Sequence, residues 1–226
     1  MTSLRAVLFD VDFTLCRPGP ELGPEGYAAL GRECGLELDP ARYDVARLAA
    51  IEDLRQHPEL DHDEEIWVRF TEDIVRGMGG GASSAVGEIA MKIVRRWEQV
   101  AQFELYDDVV PVLAELRRGG LKLGLISNTS RDLAAFVRHF TLDVDAWIAS
   151  GSYGKVKPSP LIFRAALELV GCEAESALMV GDSPRDDVAG ARAVGMPALL
   201  LDRAGLHPDA VDRIESLAEL PAKIGL

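Results

Sequence analysis

Short hydrophobic runs alternate with segments of helical periodicity along most of this chain. Five runs rich in aliphatic and β-branched side chains cover residues 6–10, 121–127, 144–150, 176–182 and 196–202. Nearly continuous hydrophobic runs of this length are typical of strands in a parallel sheet that is buried on both faces. Helical patterns near 130–140, 159–170 and 184–195 separate the last four runs, a spacing that suits right-handed βαβ connections. The pattern predicts an α/β fold with helices covering both faces of a parallel sheet.

The interval between the first two predicted strands is too long for one connecting helix. It spans 110 residues, and its amphipathic stretches carry no comparable strand pattern; they lie near 22–34, 42–57, 62–77 and 84–103. A structureless loop of this length would be unusual in a compact domain. We therefore predict an inserted helical domain over residues 16–104, with the sheet domain formed by residues 1–15 and 105–226. A helix near 108–118 would return the chain to the sheet.

Composition and charge narrow the classes of function. The chain has 226 residues, of which 48% are hydrophobic and 27% charged, as in an ordinary globular protein. Its 24 basic and 37 acidic residues give a formal charge of -13, which repels polyanions and argues against nucleic-acid and anionic-membrane partners. No apolar run reaches membrane-spanning length. Three cysteines without a Cys-x-x-Cys pair favour a reducing, cytoplasmic location.

Two carboxylates, Asp10 and Asp12, come directly after the first predicted strand. In an open α/β sheet, ligands bind in the crevice at the carboxyl ends of the strands. Two acids so close together each resist the other's ionisation unless a cation or a hydrogen-bond donor compensates. The alternative is that both are loop acids that cap the next helix, and this motif alone does not decide between the two interpretations.

Chemistry-bearing residues also follow the later strands. Ser127 and Asn128 end the second strand, Lys157 follows the third, and Asp182 and Asp187 follow the fourth. Taken singly, the serine and the aspartates could be helix caps, and the lysine could be a solvated surface charge. A carboxylate, a hydroxyl, a cation and further acids at successive strand ends favour one common site over four unrelated ones.

The order of these motifs resembles that of the haloacid dehalogenase-like hydrolase superfamily. The resemblance rests on Asp-x-Asp-x-Thr at 10–14, Ser127, Lys157-Pro158 and Gly-Asp-x-x-x-x-Asp at 181–187, and it spans the whole sheet domain. It implies a Rossmann-like parallel sheet, and the inserted helical domain is similar to the mobile cap that family members carry after the first motif. The four motifs in this order are specific for the superfamily, but they are weak evidence for any one member of it.

The resemblance also implies a mechanism. Asp10 would be the nucleophile that attacks phosphorus and forms an aspartyl-phosphate, and Asp12 would be the general acid and then the general base. A Mg²⁺ ion would bind the carboxylate of Asp10, the backbone carbonyl of Asp12 and the carboxylate of Asp182, because hard oxygen ligands suit this cation.

The remaining motif residues would assist this reaction. Ser127 and the amide of Asn128 would bind phosphoryl oxygens, and Lys157 would offset the charge of the nucleophile and of the transferred group. Asp187 would hold a metal-bound water or orient the lysine, and Thr14 would orient the nucleophile loop through a hydrogen bond.

One residue departs from the family pattern, because Phe13 stands where the family most often has glycine. Glycine there permits a left-handed turn, which phenylalanine adopts only at a cost. Either this turn uses ordinary dihedral angles or its strain is tolerated. We favour a ring that packs beneath the cap over a ring that faces the substrate.

The predicted function is a Mg²⁺-dependent phosphatase that acts on a small phosphorylated metabolite. The alternatives are a metal-independent 2-haloacid dehalogenase and a phosphomutase. A non-enzymatic interaction protein is less favoured, since decay of the chemistry would be expected to remove at least one of the motif residues. A monomer and a homodimer both remain open. The cap would set specificity, and its polar candidates are Arg47, Arg55, His57, His62 and Arg69.

Overall fold

The computed structural model of the chain describes residues 4–56 and 64–226. The chain divides into two compact units, one made of Met1–Arg17 with Leu105–Leu226 and the other of Pro18–Glu104. The first unit contains a six-stranded sheet, and the second is mainly helical.

The six strands of the first unit are all parallel. Numbered in chain order, they are β1 (Ala6–Phe9), β4 (Lys122–Ser127), β5 (Ala146–Ala149), β6 (Ala177–Gly181), β7 (Ala198–Leu201) and β8 (Arg213–Ile214). Their spatial order is β5-β4-β1-β6-β7-β8. This sheet confirms the predicted α/β class and the five predicted strands.

Successive residues of a strand point to opposite faces of the sheet, so each face presents side chains that can pack against helices. Leu8 belongs to a buried cluster with Ile126, Phe163 and Met179, which joins three strands to helix α8. At Gly124 an added Cβ would lie only 2.5 Å from a methyl carbon of Leu8, so a larger residue there would crowd this cluster. The helices of the unit are α5 (Val109–Arg118), α6 (Leu133–His139), α7 (Ser150–Tyr153), α8 (Pro160–Val170), α9 (Gly190–Ala193) and α10 (Leu220–Ile224).

Two details of the first unit differ from the predicted pattern. The sixth strand, β8, was not predicted, because it has two residues and Ile214 is its single buried hydrophobic side chain. The helix predicted over 184–195 is divided into a π-helical turn, Pro184–Ala189, and the short helix α9.

The second unit contains the helices α1 (Pro24–Glu33), α2 (Tyr43–Gln56), α3 (Glu64–Val75) and α4 (Ala85–Trp97). Its core includes Tyr27 and Tyr43, whose rings meet edge to face at 5.1 Å. His57, His62 and the side chain of Arg55 lie outside the described residues.

The amphipathic stretch predicted over 84–103 does not remain helical throughout. Helix α4 ends at Trp97, and the chain continues through a 3-10 turn into β3 (Phe103–Leu105). The ring of Phe103 packs edge to face on Trp97 at 5.4 Å. Like β3, strand β2 (Cys16–Pro18) lies outside the six-stranded sheet. In the part of the chain that is described, no helix has the length and apolar character needed to cross a membrane.

A partly buried ion pair between Asp108 and Arg203 joins four segments of the first unit. The carboxylate of Asp108 accepts two hydrogen bonds of 2.8 Å from the guanidinium of Arg203. It also accepts bonds from the hydroxyl of Ser216 (2.7 Å) and the backbone N–H of Leu217 (2.9 Å). Arg203 donates in addition to the backbone oxygen of Thr14 at 2.9 Å. Burial favours a higher pKa for Asp108, but these donors hold its pKa below the ordinary value.

Replacing Asp108 with Asn should lower the free energy of unfolding by about 2 kcal/mol at pH 7, because bonds to a charged acceptor are lost. Since the folded protein has the lower pKa, the carboxylate stabilises it fully above the ordinary carboxyl value near 4. That contribution disappears as the pH falls through the lower, folded value. Urea unfolding of both proteins between pH 7 and pH 3 tests this. The difference between their free energies of unfolding should stay constant from pH 7 to about pH 4 and shrink below that pH. A difference that stays constant to pH 3 would contradict this assignment.

Candidate active site

The carboxyl edge of the sheet brings the predicted site residues of the first unit together. Asp10 directly follows β1, and its N–H donates to the backbone oxygen of Val180 at 2.9 Å. Ser127 is the last residue of β4, and Asp182 directly follows β6. Because β1 pairs in parallel with both β4 and β6, these three residues lie at the same edge.

Lys157 reaches this edge from the segment between α7 and α8. Its ammonium is 2.5 Å from Oδ1 of Asp10 and 2.6 Å from Oδ1 of Asp187, and its side chain is 3% exposed. Burial alone would lower the pKa of Lys157, but the two carboxylates raise it above its ordinary value. The lysine is therefore a permanent cation between two acids.

Asp187 is held on both of its oxygens. Oδ1 accepts from Lys157, and Oδ2 accepts from the backbone N–H of Ser183 at 3.0 Å. A Cβ at Gly181 would lie 2.2 Å from Oδ2, so only glycine leaves room for this carboxylate. Of the two expected tasks of Asp187, contact with the lysine is the one that the structure contains.

Three carboxylates lie close enough to share a cation. Oxygens of Asp10, Asp182 and Asp187 all lie within 4.8 Å of one another. Burial raises the pKa of Asp10 well above its usual value, and although Lys157 opposes this shift, the charges of the other two acids add to it. Burial and then the charge of Asp187 raise the pKa of Asp182 to about 7. The donor set is all oxygen and negatively charged, so it suits a hard divalent cation.

Asn128 holds the backbone of Lys157. Its Oδ1 accepts from the lysine N–H at 2.7 Å, and its Nδ2 donates to the lysine carbonyl at 2.9 Å. The side-chain amide is therefore engaged with the backbone of Lys157, so we assign the phosphoryl contact expected from the sequence to the backbone N–H of Asn128.

Asp12 pairs with an arginine that sequence reasoning missed. Its Oδ1 accepts from Nη1 of Arg131 at 3.0 Å, and the thiol of Cys16 lies 3.6 Å from the same oxygen. The guanidinium is almost fully buried, whereas the side chain of Asp12 is 20% exposed. A single arginine ahead of a helix resembles a surface charge, and its position four residues after Ser127 is the one signal that could have identified it.

Phe13 adopts the left-handed conformation that glycine normally provides, with φ at 65°. Of the two expected alternatives, the strained turn is therefore correct, and the residue is 36% exposed. The hydroxyl of Thr14 is buried, and no residue of the described chain forms a hydrogen bond with it. The backbone oxygen of Thr14 forms the contact instead, with Arg203.

Comparison with known proteins gives the family. A profile of the haloacid dehalogenase-like hydrolase family matches residues 4–195. A phosphoserine phosphatase from Thermus thermophilus is 31% identical over 91% of each chain. The crystal structure of a haloacid dehalogenase-like phosphatase from Thermococcus onnurineus superposes with a TM-score of 0.65 at 28% identity over 98% of each chain. That of a 2-haloacid dehalogenase from Pseudomonas syringae gives 0.62 at 25% identity over 97% of each. The chain belongs to the haloacid dehalogenase-like hydrolase family.

The left-handed turn at Phe13 predicts that glycine is more stabilising than alanine at this position, the reverse of their usual order in a helix. Phe13→Gly should be more stable than Phe13→Ala by about 1 kcal/mol, because alanine keeps the steric cost of a positive φ and glycine does not. Both variants lose the same ring, so their difference isolates the backbone. Thermal or urea unfolding measures it.

Tyr153 provides a matched control, because it is a similarly exposed aromatic residue that lies in helix α7. There the alanine variant should be the more stable of the two by about 0.5–1 kcal/mol. The same order at both positions would contradict the strain at Phe13.

Proposed function

We propose that this protein is a Mg²⁺-dependent phosphatase that hydrolyses a small phosphorylated metabolite through an aspartyl-phosphate on Asp10. The observation that carries the proposal is the buried ammonium of Lys157, which joins the nucleophile to Asp187 beside a cluster of carboxylates. Similarity to proteins named phosphatases supports it.

The reaction would proceed in two transfers. A carboxylate oxygen of Asp10 attacks phosphorus, the bond to the leaving oxygen breaks, and Asp12 gives its proton to that oxygen. Water then attacks the phosphorylated Asp10, Asp12 accepts a proton from the water, and phosphate leaves. Covalent catalysis replaces one difficult displacement with two easier ones, and each proton transfer contributes about 10²–10⁴ in rate.

The metal would be held by the carboxylates of Asp10 and Asp182 together with the backbone carbonyl of Asp12. Oxygen ligands of one Mg²⁺ lie roughly 3–4 Å apart, a spacing that small side-chain shifts reach from the present cluster. Asp187 is the less suitable ligand, since both of its oxygens already accept hydrogen bonds. When bound, the cation would supply charge that offsets the phosphoryl oxygens.

Ser127, the backbone N–H of Asn128 and the ammonium of Lys157 would bind the phosphoryl group. The helical unit Pro18–Glu104 would act as the family's cap and select the remainder of the substrate. Arg69 is exposed in that unit and Arg47 is half-buried, so both side chains are available for tests of specificity.

Hydrolysis of 4-nitrophenyl phosphate tests the two catalytic aspartates. With Mg²⁺ present, Asp10→Asn should lower kcat by about 10³-fold or more, because the nucleophile is lost. Asp12→Asn should lower kcat by about 10²–10⁴-fold, because hydrolysis of the phosphorylated Asp10 loses its general base. Asp186→Asn is the matched control, since this neighbouring acid belongs to neither the metal set nor the nucleophile loop, and its kcat should stay within about threefold of the native value.

Other outcomes of the same assay separate the alternatives. Full activity in Asp10→Asn would disprove the nucleophile assignment. Turnover of a 2-haloacid in the presence of a chelator would indicate the dehalogenase. The similarity to a solved 2-haloacid dehalogenase is the observation that favours this alternative. Transfer of the phosphoryl group to a sugar hydroxyl instead of water would indicate the mutase.

Asp182→Asn should change stability in opposite directions with and without the metal. Because the pKa of Asp182 is raised to about 7, its ionised form disfavours the folded state, fully above pH 7 and not at all below about pH 4. In EDTA at pH 8 the variant should therefore unfold at a higher temperature than the native protein, and the difference should shrink toward pH 5.

With Mg²⁺ at pH 8 the order should reverse, since a bound ion stabilises only the folded state that holds it. A Mg²⁺-induced increase in melting temperature that is as large in Asp182→Asn as in the native protein would rule out this residue as a ligand.

A further inference from the structure

Arg131 occupies a fixed position in the loop that follows β4. Its backbone N–H donates to the hydroxyl of Thr129 at 3.1 Å, and the carbonyl of Thr129 accepts from the N–H of Gly151 at 3.0 Å. The next residue, Asp132, caps helix α6 by accepting from the N–H of Ala135. The backbone of this loop is therefore held at both sides of the arginine.

The side chain of Arg131 is buried against the proposed acid. Its Nη1 donates to Oδ1 of Asp12 at 3.0 Å across 119 residues of sequence, and the residue is only 2% exposed. A guanidinium is rarely buried without a charged partner, because the loss of hydration must be compensated. The ion pair therefore holds the carboxylate of Asp12 against the loop that follows β4.

The two oxygens of this carboxylate are not equivalent. Both contacts given to it by the described chain, from Arg131 and from the thiol of Cys16, are made with Oδ1. Oδ2 is then the oxygen left to carry the transferable proton, and the side chain of Asp12 is 20% exposed.

We propose that Arg131 is a positioning residue, which holds Oδ1 of Asp12 so that Oδ2 meets the leaving oxygen of the substrate. This inference rests on the proposed phosphatase function. In the first transfer, the proton on Oδ2 passes to the leaving oxygen as its bond to phosphorus breaks, and the carboxylate that remains stays paired with the guanidinium. In the second, Oδ2 accepts the proton of the attacking water. Arg131 itself exchanges no proton.

A group that acts through the acid should matter most where the leaving oxygen is a poor leaving group. Phenyl phosphate needs protonation of its leaving oxygen far more than 4-nitrophenyl phosphate, whose phenolate is stable on its own. In Arg131→Met, kcat/KM should fall about tenfold or more for phenyl phosphate and less than about threefold for 4-nitrophenyl phosphate. Arg131→Lys keeps a cation at this position and should recover part of the loss.

A double-mutant cycle shows whether the arginine acts through Asp12. Once Asp12→Asn has removed the acid, adding Arg131→Met should change kcat/KM for phenyl phosphate less than about twofold. Arg138→Met, an exposed arginine on helix α6, is the matched control and should leave both substrates unchanged. Melting temperatures with and without Mg²⁺ establish that each variant is folded and still binds the ion.

Equal losses on the two substrates, or additive losses in the cycle, would overturn the inference and leave Arg131 as a structural ion pair. If Arg131→Met does not fold, the comparison is made with Arg131→Lys, for which a uniform loss has the same meaning. A native protein that hydrolyses neither ester would instead disprove the phosphatase proposal, and this inference with it.

Discussion

The site depends on one buried ammonium, that of Lys157, which lies between Asp10 and Asp187. Each of these groups would be costly to bury alone, and together they satisfy one another at 2.5 and 2.6 Å. Breaking a buried pair by removing one partner typically costs about 3–5 kcal/mol, because an uncompensated charge stays behind. A single cation thereby holds together two carboxylates from different loops at the carboxyl edge of the sheet.

Several neighbouring residues hold this ammonium and its partners in place. Asn128 fixes the backbone of Lys157 from the neighbouring loop, and Gly181 leaves the space that Asp187 occupies. Four residues after the proposed nucleophile, Arg203 ties the backbone of Thr14 to Asp108. The left-handed Phe13 lies between these anchored points. Its strain is stored next to the proposed catalytic aspartates, where surrounding contacts can enforce an unfavourable backbone.

The sequence allowed the sheet and the residues at its edge to be predicted, because both follow from local patterns. Five strands show as hydrophobic runs, and the polar residues that end them must lie at one edge of a parallel sheet. Contacts between distant side chains leave no such pattern. Arg131 and Asp12 are 119 residues apart, and neither residue type predicts the pair. Strand β8 could not be predicted for a different reason, because a strand of two residues shows no periodicity.

Charge balance explains why the proposed site needs to bind a cation before it can bind an anionic substrate. Asp10, Asp12, Asp182 and Asp187 carry four negative charges when ionised, and Lys157 and Arg131 carry two positive ones, which leaves a net charge of -2. Burial and the neighbouring acids raise the pKa of both Asp10 and Asp182, so without a metal both carboxylates are easier to protonate. A protonated Asp10 is a poor nucleophile, so neutralisation by protons and attack on phosphorus exclude each other. A divalent cation removes the conflict, since it balances the same charge, leaves Asp10 ionised and lets a phosphate dianion approach.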